Sequence, residues 1–223
     1  MIRKISIAFL ILCSAFATQA QTILSKSECR AAQMALEAEW RNNAYNNYAQ
    51  AIENNVFTSG DLMLKIKPVL YGEKPADGRS LYISMHGGGH CPKEVNDEQW
   101  VNQIYLYEPK EGVYIAPRAP WNTSDLWHRK GLDELLEDLI AACVVYEGVN
   151  PNKIYLMGYS AGGDGVWRLA PRMADKWAAA SMMAGHPGEA SQVNLMNLPY
   201  MIWMGEHDHY YDRNILAKEK AVV

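Results

Sequence analysis

Between positions 154 and 165 the chain reads IYLMGYSAGGDG, an apolar run that breaks into a glycine-flanked serine. An apolar run of this length closed by glycine reads as a buried strand. The residues after it have helical composition, so the chain must turn sharply at the serine and run back along the sheet. A strand that feeds a helix through so tight a corner belongs to a mostly parallel sheet covered by helices. The corner also has a chemical consequence. Gly158-Tyr159-Ser160-Ala161-Gly162 forces Ser160 into a strained backbone conformation and holds its Oγ clear of the sheet. Side chains at the two glycine positions would collide with the neighbouring strand and helix. The helix N-terminus behind the serine offers free N–H groups to a developing negative charge.

The other segments agree with that architecture. SKSECRAAQMALEAEWRNNAYNNYAQAIENN reads as an N-terminal helix outside the main sheet. LMLKIKPVLYGEK and RSLYISMHGGG are strands joined by the turn-rich KPADG. VNDEQWVNQIYLYE is helical, GVYIAP is a short buried strand, and PRAPWNTSDLWH is a polar, aromatic loop. KGLDELLEDLIAACVVYEG is the clearest helix, with Leu132, Leu135, Leu136, Leu139 and Ile140 on one face and acids opposite. NKIYLMG, WAAASMMAG and PYMIWMG supply three further strands, and SAGGDGVWRLAPRM opens a helix. No internal repeat or low-complexity linker interrupts the pattern, so residues 21–223 read as one domain.

Residues 1–20, MIRKISIAFLILCSAFATQA, have the pattern of a secretory signal: Arg3 and Lys4, an apolar stretch, then the small Ala20. The stretch is too short for a bilayer-spanning helix. Leu12 before Cys13 is a poor context for lipidation. A secreted or periplasmic protein without a membrane span is therefore expected. The formal net charge is −4 and there is no basic tract, which argues against nucleic acid or anionic membrane as a partner. Beyond the signal pattern three cysteines remain, Cys29, Cys91 and Cys143. An odd count permits one bridge at most, no metal-type spacing links them, and Cys143 reads as a buried thiol.

A second motif supports the chemistry suggested by the serine. His86-Gly87-Gly88-Gly89 follows the strand LYISM, and a glycine run at a strand's C-terminal end lets backbone N–H groups face an oxyanion. The expected donors are the N–H of Ala161 and those of Gly87 or Gly88, with His86 bracing the loop. MHGGG and MGYSAGGDG resemble the α/β-hydrolase superfamily, in particular exported bacterial, carboxylesterase-related enzymes with an HGGG oxyanion motif. The resemblance covers nearly all of residues 21–223. It extends through NDEQW, APRAPW, LWH, MMAGHP and MGEHD.

The resemblance implies a nucleophile after the fifth strand, an acid after the seventh and a histidine after the eighth. Ser160 and Asp208 match the first two positions, with Asp212 and Glu206 as neighbouring alternatives for the acid and Asp164 in a structural role. The base should follow another helix and strand. The residues after Asp208, HYYDRNILAKEKAVV, suffice only for the start of a helix. The expected domain is therefore C-terminally incomplete, lacking the last strand and helix, and poorly active. His186, His128 and His90 lie in loops at the same sheet edge as candidate pocket residues, together with His86 and Trp127. His209 adjoins the acid in sequence.

Trp100, Trp121 and Trp127 either shape an acyl or sugar pocket or anchor long loops to the core. Arg118 meets a substrate carboxylate or pairs with Asp125 or another acid. No cofactor or metal is implied. These features together suggest a secreted serine hydrolase acting on small-molecule or carbohydrate esters. A non-catalytic binding module, a peptidase or a thioesterase on the same fold are the alternatives.

Overall fold

A computed structural model describes residues 25–221; the expected signal segment lies outside the described residues. The chain divides into two compact units, one ending at Asn42 and one starting at Asn43. The division falls inside helix α1, Lys26–Asn54. In the first unit, Ser25 and Glu28 cap the helix reciprocally. The Glu28 N–H donates to Ser25 Oγ at 3.3 Å, and the Ser25 N–H to Glu28 Oε2 at 2.7 Å. Further along, Glu37 and Arg41, one turn apart, form a pair at 2.9 Å.

The second unit begins with the rest of α1, where Ala44 is buried. The Tyr45 ring stacks on Tyr146 at 4.7 Å, and the Tyr48 hydroxyl donates to Asp138 at 2.5 Å. The strands that follow are β1 (Val56–Ser59), β2 (Leu62–Tyr71), β3 (Arg79–Met85), β4 (Gly112–Arg118), β5 (Val149–Tyr159), β6 (Ala179–Met183) and β7 (Tyr200–Trp203). Between them run α2 (Lys93–Ile104), α3 (Leu132–Tyr146) and α4 (Ala161–Arg172), with α5 (Arg213–Lys220) after β7. Strand β1 was not foreseen. Its four residues are too few to show alternation, and they form a hairpin with β2 around Gly60 at φ 56°.

The sheet order is β1-β2-β4-β3-β5-β6-β7. β1, β2 and β4 pair antiparallel, whereas β4, β3, β5, β6 and β7 run parallel. This is the α/β-hydrolase fold, as expected, in seven strands. From β3 the chain goes first to β4 on one side and later to β5 on the other. The direction of winding thus reverses around β3. A crevice opens at such a switch point beyond the carboxyl ends of the strands, and ligands bind there in open α/β sheets. The loops that flank it follow Met85 and Tyr159.

Both faces of the sheet are packed, unequally. Val113 and Ile115 of β4 join the main core, with Leu132, Leu135, Leu136 and Leu139 of α3 and Val166, Trp167 and Leu169 of α4. Tyr114 and Ala116 alternate to the other face and form a smaller core with Ile104 of α2. α3 is preceded by Gly131 at its N-cap with no side-chain hydrogen bond, a loss of roughly a few tenths of a kcal/mol against a Ser or Asp cap. Each of its fully buried leucines contributes about 1.5–3 kcal/mol, so packing rather than capping holds the helix. Cys143 is buried in α3, as expected, and burial pushes its thiol pKa up. At the far edge, β7 pairs only with β6 among the described residues, and Met201 and Trp203 are exposed.

Candidate active site

Ser160 stands at the corner between β5 and α4 with φ 56° and ψ −121°. A non-glycine residue in that region costs about 1–3 kcal/mol unless its surroundings enforce it. Here they do. The Ser160 N–H donates to the Met183 carbonyl at 2.9 Å, and the Ser160 carbonyl accepts the Asp164 N–H at 3.1 Å. The corner is narrow because glycine permits it to be. A Cβ at Gly158 would overlap the Gly162 carbonyl, and one at Gly162 would overlap the Met85 carbonyl and reach within 2.9 Å of the His86 carbonyl. Ser160 itself is only partly buried.

The glycine run after β3 passes directly beside it. A Cβ on Gly87 would lie 3.1 Å from Ser160 Cβ. Gly88 and Gly89 take φ values of 106° and 119°, a region open to glycine and costly for other residues. The N–H groups of Gly87 and Gly88 donate to no acceptor among the described residues. That of Ala161, first in α4, has no acceptor within its helix. Two sets of unused donors therefore adjoin the serine.

Asn96, fully buried in α2, holds the loop in shape. Its Oδ1 accepts the Gly89 N–H at 2.9 Å, and its Nδ2 donates to the Gly89 carbonyl at 3.0 Å and to Asn122 Oδ1 at 3.1 Å. His86 is also fully buried. Its Nε2 accepts the Ala119 N–H at 3.1 Å, which leaves Nδ1 to donate to the Gly87 carbonyl at 2.6 Å. Burial pushes its pKa down to about 4, against a smaller opposing effect of that hydrogen bond. The imidazole is thus neutral at physiological pH, with both nitrogens occupied.

Two of the candidate pocket residues are therefore not in a pocket. His86 is sealed beneath the loop. Trp127 is fully buried as well, its Nε1 donating to the His86 carbonyl at 2.8 Å and its ring edge-on to the imidazole at 5.0 Å. Aromatic bulk at this position fills the core under the glycine run. Trp100 likewise anchors its helix, donating to the Ala116 carbonyl at 2.8 Å, and Trp121 stacks under Arg129 at 5.1 Å. Arg118 pairs with Asp97 at 2.8 Å rather than with Asp125.

The acid side is occupied differently from the pattern. Asp208 sits in the turn after β7, where its N–H donates to the Gly205 carbonyl at 3.1 Å. Its carboxylate accepts Arg213 Nε at 2.7 Å, and Arg213 Nη1 donates onward to the Ala184 carbonyl at 2.6 Å. His209 Nδ1 lies 3.2 Å from Asn214 Nδ2 instead of turning to Asp208. The His186 backbone N–H donates to Asp164 Oδ1 at 2.5 Å, and its ring meets Tyr211 edge-on at 6.4 Å. Burial raises the pKa of Asp164, opposed by the His186 N–H and by the charges nearby. His90 is exposed, and His128 lines a separate cavity with Arg168 and Arg172. Among the described residues no imidazole hydrogen-bonds Ser160 Oγ or Asp208.

Sequence reasoning missed Asn96 and Arg213. For Asn96 the apolar pattern gave no signal, because Val95 and Val101 of its helix are exposed while Asn96 and Gln103 are buried. For Arg213 there was none, since its role depends on a turn in which Tyr211 and Asp212 both have positive φ.

No family model matches this sequence, and no curated protein matches it. Among solved structures the chain is similar to a thermostable esterase, with 16% identity and a TM-score of 0.59 over 75% of this chain and 50% of that one. It is also similar to an acetyl xylan esterase from Aspergillus awamori (16% identity, TM-score 0.42, 59% of this chain and 51% of that one). An enterochelin esterase from Shigella flexneri is a third (13% identity, TM-score 0.44, 58% of this chain and 35% of that one). At such identities the first likeness is one of fold alone. The chain spans half the length of that esterase.

Proposed function

We propose that this protein is a serine hydrolase of carboxylic esters, exported by its N-terminal segment, in which Ser160 is the nucleophile. The observation that carries the reading is the strained Ser160 corner beside Gly87, with unused amide donors on both sides. Ser160 Oγ attacks the ester carbonyl carbon, and the carbonyl oxygen becomes an oxyanion held by the N–H groups of Ala161 and Gly87 or Gly88. Collapse expels the alcohol and leaves an acyl-serine, which water then hydrolyses to the acid. Removing one such donor typically costs about 10²–10³ in turnover, so the amides are a major part of the catalytic power.

Proton transfer is the weak step. The Oγ proton needs an acceptor, and the described residues bring no imidazole within hydrogen-bond reach of it. Asp208, the candidate orienting acid, is held by Arg213. An alkoxide leaving group needs a proton as well, so ordinary esters should react slowly and activated aryl esters faster. Loss of the base in a triad costs on the order of 10⁶ in turnover, with a residue of about 10³–10⁴ over water from the oxyanion donors and binding. The substrate class is a small-molecule or carbohydrate ester. The acidic balance and lack of a basic tract argue against nucleic acid as a partner.

Hydrolysis of p-nitrophenyl acetate, with and without added imidazole, tests this reading. Imidazole cleaves this ester by itself, so the protein-free rate is subtracted at each concentration. A remaining increment that imidazole raises in the parent protein and not in Ser160→Ala supports the reading. Equal rates in the two proteins under both conditions refute it. The Arg213–Asp208 pair favours a second reading, a binding module without turnover, and the same assay separates the two.

A further inference from the structure

We propose that the cavity lined by His128, Arg168, Arg172, Ser191 and Asn194 is a binding site for a phosphate group. It has a volume of about 280 Å³ and is completed by Pro171 and Ala190, with no carboxylate in its lining. Two guanidinium groups one turn apart on α4 face the loop from β6 to β7 and the loop that carries His128.

Accounting for the donors gives the site its character. Arg172 already donates to Asp133 and to the His128 carbonyl at 3.4 Å, so its position is set and its charge is offset by that carboxylate, leaving Arg168 as the unpaired cation. Arg168 has no hydrogen bond or ion pair among the described residues, although it is partly buried. An unpaired guanidinium in a concave site favours an oxyanion, because charge-assisted hydrogen bonds to it are about twice as strong as neutral ones. Ser191 Oγ accepts the Val193 N–H at 3.4 Å, leaving its own proton free to donate. Asn194 Nδ2 uses one hydrogen on the Pro171 carbonyl at 2.9 Å and keeps the other.

His128 adds a tunable donor. Its pKa is lowered by burial first and then by Arg168 and Arg172, against the opposing charge of Asp125. A bound dianion offsets both guanidinium charges, so phosphate binding draws a proton onto His128. Donors approaching from a helix face, a loop and an imidazole suit a tetrahedral group with three or four acceptor oxygens better than a planar carboxylate. Asp164, the nearest acid to Arg168 along α4, is engaged by the His186 N–H and does not line the cavity.

Titration calorimetry of the protein with inorganic phosphate, and separately with glycerol 1-phosphate, at constant ionic strength provides the test. Saturable binding of either ligand is expected, weakened about tenfold or more in Arg168→Gln and by a smaller factor in Ser191→Ala, which leaves every charge in place. Tighter binding of the ester identifies a phosphorylated small molecule as the source, and equal binding identifies free phosphate. Heats that match chloride at the same ionic strength overturn the proposal. So does binding that neither substitution alters. Ser160→Ala should bind phosphate like the parent, which keeps this result separate from the esterase reading.

Discussion

Arg213 Nε donates to Asp208 Oδ1 at 2.7 Å, and the same guanidinium reaches the Ala184 carbonyl at 2.6 Å. One side chain thereby ties the loop after β7 to the loop after β6. Both partners of the ion pair are largely shielded, with 17% and 22% of their side chains exposed. Arg213→Ala should lower stability by about 1–3 kcal/mol in urea unfolding, and Asp208→Ala by less, since the arginine keeps its carbonyl acceptor. In the double variant the two losses should fall short of additivity by about 1 kcal/mol or more. Full additivity would show that the pair contributes nothing.

The Ser160 backbone predicts an inversion of the usual ranking of alanine and glycine. Replacement by alanine removes the hydroxyl and keeps the strain of φ 56°, whereas glycine removes both. Ser160→Gly should therefore be as stable as Ser160→Ala or more stable, by about 1 kcal/mol, despite glycine's larger entropy in the unfolded chain. Thermal unfolding of the two variants reads the difference.

Gly162→Ala should be far more damaging. Its Cβ would overlap the Met85 carbonyl and approach the His86 carbonyl to 2.9 Å, and both belong to backbone that carries the glycine run. A loss of about 3 kcal/mol or more is expected, or failure to fold. Measured unfolding free energies decide it, with Gly60→Ala as a contrast where a Cβ meets nothing within 4 Å and only the strain of φ 56° is added.

Acid should weaken the fold through His86. Burial holds its pKa at about 4 in the folded state, below the ordinary value of 6.5 that applies when the chain unfolds. Between those values the unfolded state binds a proton that the folded state refuses. Stability is therefore full above about pH 6.5 and declines as the pH falls toward 4, by about 3 kcal/mol from this group. His128, also lowered, acts in the same direction. Urea midpoints measured across this range should fall with pH in the parent and fall less in His86→Gln.

The strand and helix pattern was legible because each element carries a strong period. α3 shows a leucine stripe and acids opposite, and the second half of β5, Ile154–Met157, is an apolar run followed by glycine. The corner at Ser160 was legible because Gly158 answers to the Gly162 carbonyl four residues on, although Gly162 answers to the distant Met85 and His86 carbonyls. What escaped the sequence depends on long-range approach. The sequence left His86 and Trp127 open to a place in the pocket or to bracing loops; the loop after β4 folds over His86, its Ala119 N–H taking His86 Nε2 and its Trp127 the His86 carbonyl. Arg213 lies in a short, weakly patterned helix, and nothing local indicates that it will hold Asp208. Strand β1 was lost because four residues at a sheet edge leave too little period to detect.

The most direct test is to ask whether an acyl group comes to rest on Ser160. With an aryl ester the leaving group needs no proton, whereas hydrolysis of the acyl-serine still needs a base to activate water, so the intermediate should accumulate. Mass spectrometry of the protein after prolonged incubation with p-nitrophenyl acetate should find one acetyl group per chain, in the peptide that contains Ser160, and none there in Ser160→Ala. Acetylation confined to lysines, with that peptide unmodified, would contradict the account.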